Sequence, residues 1–409
     1  MKNIINIPNI TGPLNIVRLE GKINNKTKTL YLLGDIHLNT SQQTKCEDFS
    51  SLDILQIFDK FVKNANSYKD KTWDIFIEDN ISNINETNSF YKNTKNLNLN
   101  KFVTVDYDRD YVNKYSKNIS IKNSIYIDKI QDFVRYNFNI NKNDLVKGSN
   151  KYKNIRYHYF DIRKETEFHN IYFNIIPAIF NLINDINNIK YENLVNLIEQ
   201  LYSLLLIDYN KFFKQNCKIH KCIFKLKSSY KNIDIKQLIL KILNNNKIKF
   251  NKILKNVLKF LKLIKSKKVI ENNLISKFNR KINSYGYDVN EFQKFKLLFI
   301  KSIDINILHI YSYITDLYFL RRFLDKSYIS NSIIYCGYNH LVHISYVLIF
   351  FFNFNITNIS YAKVDLKTLN SNFKNSKNID DFIKKYNINI FPDNLIQCSS
   401  MKEFPDMFL

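Results

Sequence analysis

The sequence predicts an α/β fold in which a mainly parallel central sheet is flanked by helices. A large helical insertion is expected between the third strand region and a final Gly-x-x-His strand. Three observations predict it. The chain opens as strand, helix, strand; its last third returns to the opening pattern; and residues 165–327 between them are dominated by Leu, Ile, Phe and Lys at helical spacing.

Taken in order, NIVRLEG and KTKTLYLLGDIH are β-rich runs separated by an Asn-Asn-Lys turn, which predicts a hairpin feeding a buried strand at Thr29 to Leu33. From Cys46 to Asn64 the apolar residues Phe49, Leu52, Ile54, Leu55, Ile57, Phe58, Phe61 and Val62 follow helical spacing. WDIFIEDN then packs Trp73, Ile75, Phe76 and Ile77 into a second strand that stops at Glu78, Asp79 and Asn80. The polar stretch Ile81 to Asn100 reads as a loop, KFVTVDYD as a further strand, and IRYHYFDIR as a third clear one. SIIYCGYNH is a buried strand ending at Gly337, LVHISYVLIFFFNF a buried helix and NITNISYAKV a last strand. With only six Gly and five Pro there is little linker-like punctuation, so one elaborated domain is expected over 1–409. Within it, 15–164 form the first half of the sheet, 165–327 a helical cap, and 328–409 the returning strands and a C-terminal tail.

The composition, 45% hydrophobic and 15% aromatic, supplies a large core and excludes a disordered chain. A formal charge of +24, from 61 Lys and Arg against 37 Asp and Glu, raises nucleic acid or another acidic partner. The same Lys, Asn and Ile richness is what an AT-rich coding sequence produces, and no helix-turn-helix, zinc-finger or RNA-binding signature accompanies the charge. Five scattered cysteines are read as reduced thiols. Cys217, His220 and Cys222 fit no common structural zinc spacing. No apolar run reaches the roughly 20 residues of a membrane helix. A cytoplasmic protein, or one packaged from the cytoplasm, is expected.

Chemistry concentrates at four strand ends, each changing from apolar to polar within one residue: Gly34-Asp35-Ile36-His37, Ile77-Glu78-Asp79, Phe160-Asp161-Ile162-Arg163 and Gly337-Tyr338-Asn339-His340. Parallel strands joined by crossovers put such ends on one edge, where open α/β sheets bind ligands. There His37 and His340 could move protons or, with Glu78, hold a divalent ion such as zinc, manganese or cobalt that activates water. Asp79 adds a carboxylate. Arg163 could clamp negative charge, with Asp161 orienting it. His158 is read as a packed or surface residue, His343 as sharing the face of His340, and His169 and His309 as helix-surface residues.

LLGDIH, IFIED, YFDIR and IYCGYNH, in this order, resemble the motifs of the superfamily that contains the TraB proteins, the Tiki proteases, the haem-binding ChaN lipoproteins and the erythromycin esterases. The match covers about thirty residues and frames a domain from roughly Asn15 to Ala362. Asp35 stands where several members have Glu. The resemblance implies a hydrolase of peptide or ester bonds, with or without a metal. His37 and His340 stand at the motif histidines, Glu78 at the acidic strand end, Arg163 at the basic position, and Gly34 and Gly337 at the turns. A non-catalytic, particle-associated protein that binds an acidic partner, and a haem or small-ligand binder using the many tyrosines, are the other classes open to this sequence.

Overall fold

The computed structural model describes residues 9–37, 46, 51–64, 72–78, 126–138, 146–149, 152–162, 221–265, 312–393 and 397–405. The chain divides into two compact units, Met1–Asp161 with Arg322–Leu409, and Ile162–Arg321.

The first unit holds a seven-stranded mixed sheet. Strand β2 (Asn15–Ile23) turns into β3 (Lys26–Asp35) through Asn24 and Asn25, both left-handed at φ 49° and 62°. Two-residue hairpins favour that backbone, and asparagine tolerates it. Helix α1 (Ile54–Asn64) buries Ile54, Ile57, Phe58, Phe61 and Val62. It begins later than the expected Cys46, after the two-residue β4 (Leu52–Asp53). The reason is a reciprocal cap: Asp53 Oδ1 accepts the Leu55 amide and Gln56 Oε1 accepts that of Asp53, each at 2.9 Å. Then come β5 (Trp73–Ile77), α2 (Tyr126–Phe138), β6 (Val146–Ser149) and β7 (Tyr152–Tyr159). In the second unit α3 (Lys221–Ser228) and α4 (Ile233–Lys265) are described, and α5 (312–325) runs across the unit boundary. The rest of the segment expected to form a helical cap, with the 81–108 segment, lies outside the described residues.

The first unit resumes with β8 (Asn331–Gly337), which passes without a loop into α6 (Tyr338–Tyr346) and a π-helical turn over Val347–Phe351. Strand β9 (Asn355–Ile359) follows. Beyond it the expected tail is structured: α7 (Leu366–Lys374) is capped by Asp365, α8 (Ile379–Ile390) by Asn378, and β10 (Cys398–Ser400) closes a three-stranded sheet with β1 (Asn9–Thr11) and β4.

The large sheet runs β6-β7-β5-β8-β3-β2-β9. Its four central neighbours, β7, β5, β8 and β3, are parallel, and β6, β2 and β9 pair antiparallel at its flanks. One face packs Tyr31, Leu33, Trp73, Ile75, Ile77, Tyr157 and Ile333 against the apolar sides of α1 and α2. Near-complete burial of β5 and β8 explains the apolar runs Ile75–Ile77 and Ile333–Cys336 within them. No helix among the described residues is long and apolar enough to cross a membrane.

Two features were not expected. Cys46 and Cys398, 352 residues apart, form a disulfide, which corrects the reading of these two as reduced thiols. Sequence separation hid the pair. Lys28 is buried and donates to the carbonyls of Phe323, Lys326 and Ile329 at 2.6, 3.0 and 2.6 Å, so all three of its protons serve the end of α5. Burial lowers its pKa to about 8, against the opposing charge of Asp74. Lys28→Met keeps the bulk but leaves those carbonyls without their donor. The variant should lose about 3 kcal/mol of stability, measured by urea unfolding, and an unchanged midpoint would contradict this role.

Candidate functional site

The C-terminal ends of four adjacent parallel strands carry the polar tips: Asp35 ends β3 with His37 beyond it, Gly337 ends β8 with His340 beyond it, Glu78 follows β5 and Asp161 lies beyond β7. Pairing sets their level, with Asp35 opposite Gly337 and Ile77 opposite both Tyr335 and Tyr159. Residues separated by hundreds of positions in the chain thereby meet within one row of strands.

They meet on Glu78. His340 Nε2 lies 3.1 Å from its Oε1, and His37 Nε2 lies 3.6 Å from its Oε2, which also accepts the Gly337 amide at 2.8 Å. Gly337 is the N-cap of α6 and has no side-chain cap of its own. The carboxylate therefore also serves the helix end, where negative charge is favoured. Exposure divides the roles: the side chains of Glu78 and His340 are 5% and 3% exposed, whereas His37 is 38% exposed. Phe160, just beyond β7, sets its ring edge-on to His340 at 5.8 Å, and Gln131 Nε2 donates to the Glu78 carbonyl at 2.6 Å.

The two glycines interlock the motifs. A Cβ on Gly337 would stand 2.5 Å from His37 Nε2, so the second motif leaves room for the imidazole of the first. A Cβ on Gly34 would stand 2.7 Å from Leu341 Cδ1, so the first motif leaves room for the helix of the second.

His37 is left-handed at φ 54°, a conformation that needs support in a residue other than glycine. Asp35 supplies it, accepting the His37 amide on Oδ1 at 3.0 Å. The same oxygen accepts Gln397 Nε2 at 2.7 Å, and Oδ2 accepts the Tyr335 hydroxyl at 3.1 Å. Burial raises the Asp35 pKa despite the charge of His37 and these donors. Burial acts in the opposite sense on His37, but the Glu78 carboxylate, helped by Asp35, outweighs it and holds the imidazole above its ordinary value.

A family model described as a family of unknown function (DUF5847) matches residues 8–106 and 205–409. The chain belongs to the DUF5847 family. The matched residues include His37, Glu78, Gly337, His340 and Gln397, and leave out Asp161 and Arg163. The chain is 28% identical to uncharacterized protein R706 of Acanthamoeba polyphaga mimivirus over 440 aligned positions, covering 98% of this chain and 96% of that one. Uncharacterized proteins R160 and R161 of the same virus are 28% and 25% identical, with at least 98% of each chain covered. No solved structure matches.

In this DUF5847 chain Asn339 is exposed on the first turn of α6 and Asp161 is buried two residues beyond β7. Asp79 and Arg163 lie outside the described residues, as do Cys217, His169, His220 and His309. His343 is buried on α6. Among the described residues no group of three or more His, Cys, Asp or Glu is placed to hold a metal ion. His37 and His340 each pair with Glu78. His158 is fully buried, with Nε2 2.5 Å from Asp74 Oδ1 and its ring stacked on Phe76 at 4.4 Å. Burial lowers its pKa to about 4, against the pull of Asp74. Arg156 grips the same carboxylate at 2.8 and 2.7 Å. Asp74, one residue inside β5, was missed because its neighbours read as an apolar strand. Gln397 was missed because nothing in its local sequence marks it.

Proposed function

We propose that this protein is a hydrolase of the TraB, Tiki and erythromycin-esterase type, cleaving a peptide or ester bond with a water activated by His37. The observation that carries the reading is one buried carboxylate shared by two imidazoles, of which one alone is open to solvent. Buried charge without a task is costly, and solvent access at a single member is what a water-activating base requires.

With the Nε2 edge turned to Glu78, Nδ1 of His37 is the nitrogen left to take a proton from water. Glu78 stabilises the imidazolium so formed, and His340 and the Gly337 amide fix that carboxylate. The water oxygen attacks the carbonyl carbon, the scissile C–N or C–O bond breaks, and His37 returns its proton to the leaving group. Arg163 is the residue assigned to negative charge on the substrate. A metal-dependent form of the reaction would use His37, Glu78 and His340 as ligands, and the ion would supply the activation of water. Elemental analysis separates the two forms: zinc, manganese or cobalt at one ion per chain, lost in His37→Ala, would replace this chemistry with the metal-dependent kind.

The direct test is His37→Ala on a panel of peptides and p-nitrophenyl esters. Turnover should fall about 10²- to 10⁴-fold, with Tm nearly unchanged because the ring is substantially exposed. Normal turnover by the variant would remove His37 from the reaction.

A further inference from the structure

We infer that the C-terminal strand is a working part of this site: Gln397 positions the turn carrying His37, and the Cys46–Cys398 bridge makes that positioning depend on thiol redox state. The inference rests on the geometry around His37, not on the reaction assigned above.

Four observations carry it. The Asp35 oxygen that holds the left-handed His37 amide is the one that accepts Gln397 Nε2. Gln397 is fully buried and is laced to the backbone of Gly12, whose amide donates to its carbonyl at 3.1 Å and whose carbonyl accepts its side-chain amide. Its Oε1 is buried without a hydrogen-bond partner among the described residues. Such an orphan makes the seat costly, so something must hold the residue in place. The next residue is Cys398, first in a strand of three residues that among the described strands pairs with β1, and its bridge partner Cys46 donates its amide to Thr11 Oγ1 of β1 at 3.4 Å.

Both bridged cysteines are partly exposed, whereas Cys336 is fully buried, so a small reductant has access to the bridge. A dithiol would open it by exchange. One thiolate attacks a bridge sulfur to give a mixed disulfide, and the second thiol displaces the remaining protein sulfur. Two electrons and two protons pass to the protein, leaving two cysteine thiols and an oxidised, cyclic dithiol. A three-residue strand holds weakly without its covalent tie, and releasing it withdraws Gln397 from Asp35.

The test uses the full chain purified without reductant. Amide hydrogen exchange is followed at His37, with Leu32 and Ile334 as reporters of the sheet, before and after dithiothreitol and alkylation. Reduction should speed exchange at His37 by about tenfold or more while the sheet reporters stay protected. Gln397→Leu should do the same with the bridge intact, and reducing that variant should add less than about twofold. Cys46→Ser with Cys398→Ser should match the reduced protein. Equal protection of His37 before and after reduction would overturn the inference, as would equal loss at the sheet reporters, which would make the bridge a staple of the whole unit. Recovery of both cysteines as free thiols from the untreated protein would overturn it too. No substrate enters this readout, so failure of the hydrolase assignment is recorded separately.

Discussion

Replacing Glu78 by Gln is expected to lower kcat/KM about 10³-fold while leaving the fold intact. The amide matches the carboxylate in shape and still offers an oxygen to the Gly337 amide, but it removes the charge facing both imidazoles. Removing one partner of a buried pair costs stability wherever the other is charged, so the loss should appear at low pH, where His37 is protonated, and fade as the ring becomes neutral. The pH profile should change with it. Because His37 sits above its ordinary value, its neutral, base-competent form accumulates only as pH rises through that elevated pKa, placing the acidic limb of the wild type above 6.5. The stability that the protonated His37 draws from Glu78 follows the same rule, present in full below 6.5 and lost as pH rises through the folded value. In Glu78→Gln the main raising influence is gone, Asp35 alone is left to oppose burial, and the limb should move to lower pH. Turnover and a limb both equal to wild type would remove Glu78 from the mechanism.

Gly337→Ala is expected to cut kcat/KM about 10²-fold with little change in Tm. Its backbone, φ −57° and ψ 147°, suits alanine, so no strain arises there. The new Cβ would instead stand 2.5 Å from His37 Nε2, closer than atoms can approach, and the exposed ring must swing off Glu78. Gly34→Ala makes the contrast. There the methyl meets Leu341 Cδ1 in the core, and the penalty should appear in stability, about 1–3 kcal/mol. Thermal melts and kinetics on the two variants decide the matter: equal stability losses with equal turnover would contradict the division of labour between the glycines.

The edge of the sheet was legible in the sequence because a doubly buried parallel strand is an uninterrupted apolar run, and its end is marked by an abrupt polar residue. That is why Gly34, Glu78 and Gly337 could be placed at strand ends with Asp35, Asp161, His37 and His340 close behind. The interlock was not legible. Which glycine makes room for which side chain depends on strand order, and order arises from pairings between segments hundreds of residues apart. Gln397 and the Cys46–Cys398 bridge were hidden for the same reason. Helices α7 and α8 did carry a local signal, the capping residues Asp365 and Asn378 before short amphipathic stretches, but Asn and Asp are so frequent in this composition that caps do not stand out. The buried pair of Asp74 and His158 was obscured because Asp74 is absorbed in a run that reads as apolar and His158 alternates with Tyr157 and Tyr159, as a surface residue of a strand would.

The meeting of His37 with Glu78 is tested most directly by NMR titration of the histidine side chains in the wild type and in Glu78→Gln. The His37 resonance should titrate above 6.5 in the wild type and move down in the variant. A His37 that titrates at its ordinary value and does not respond to the substitution would contradict the site.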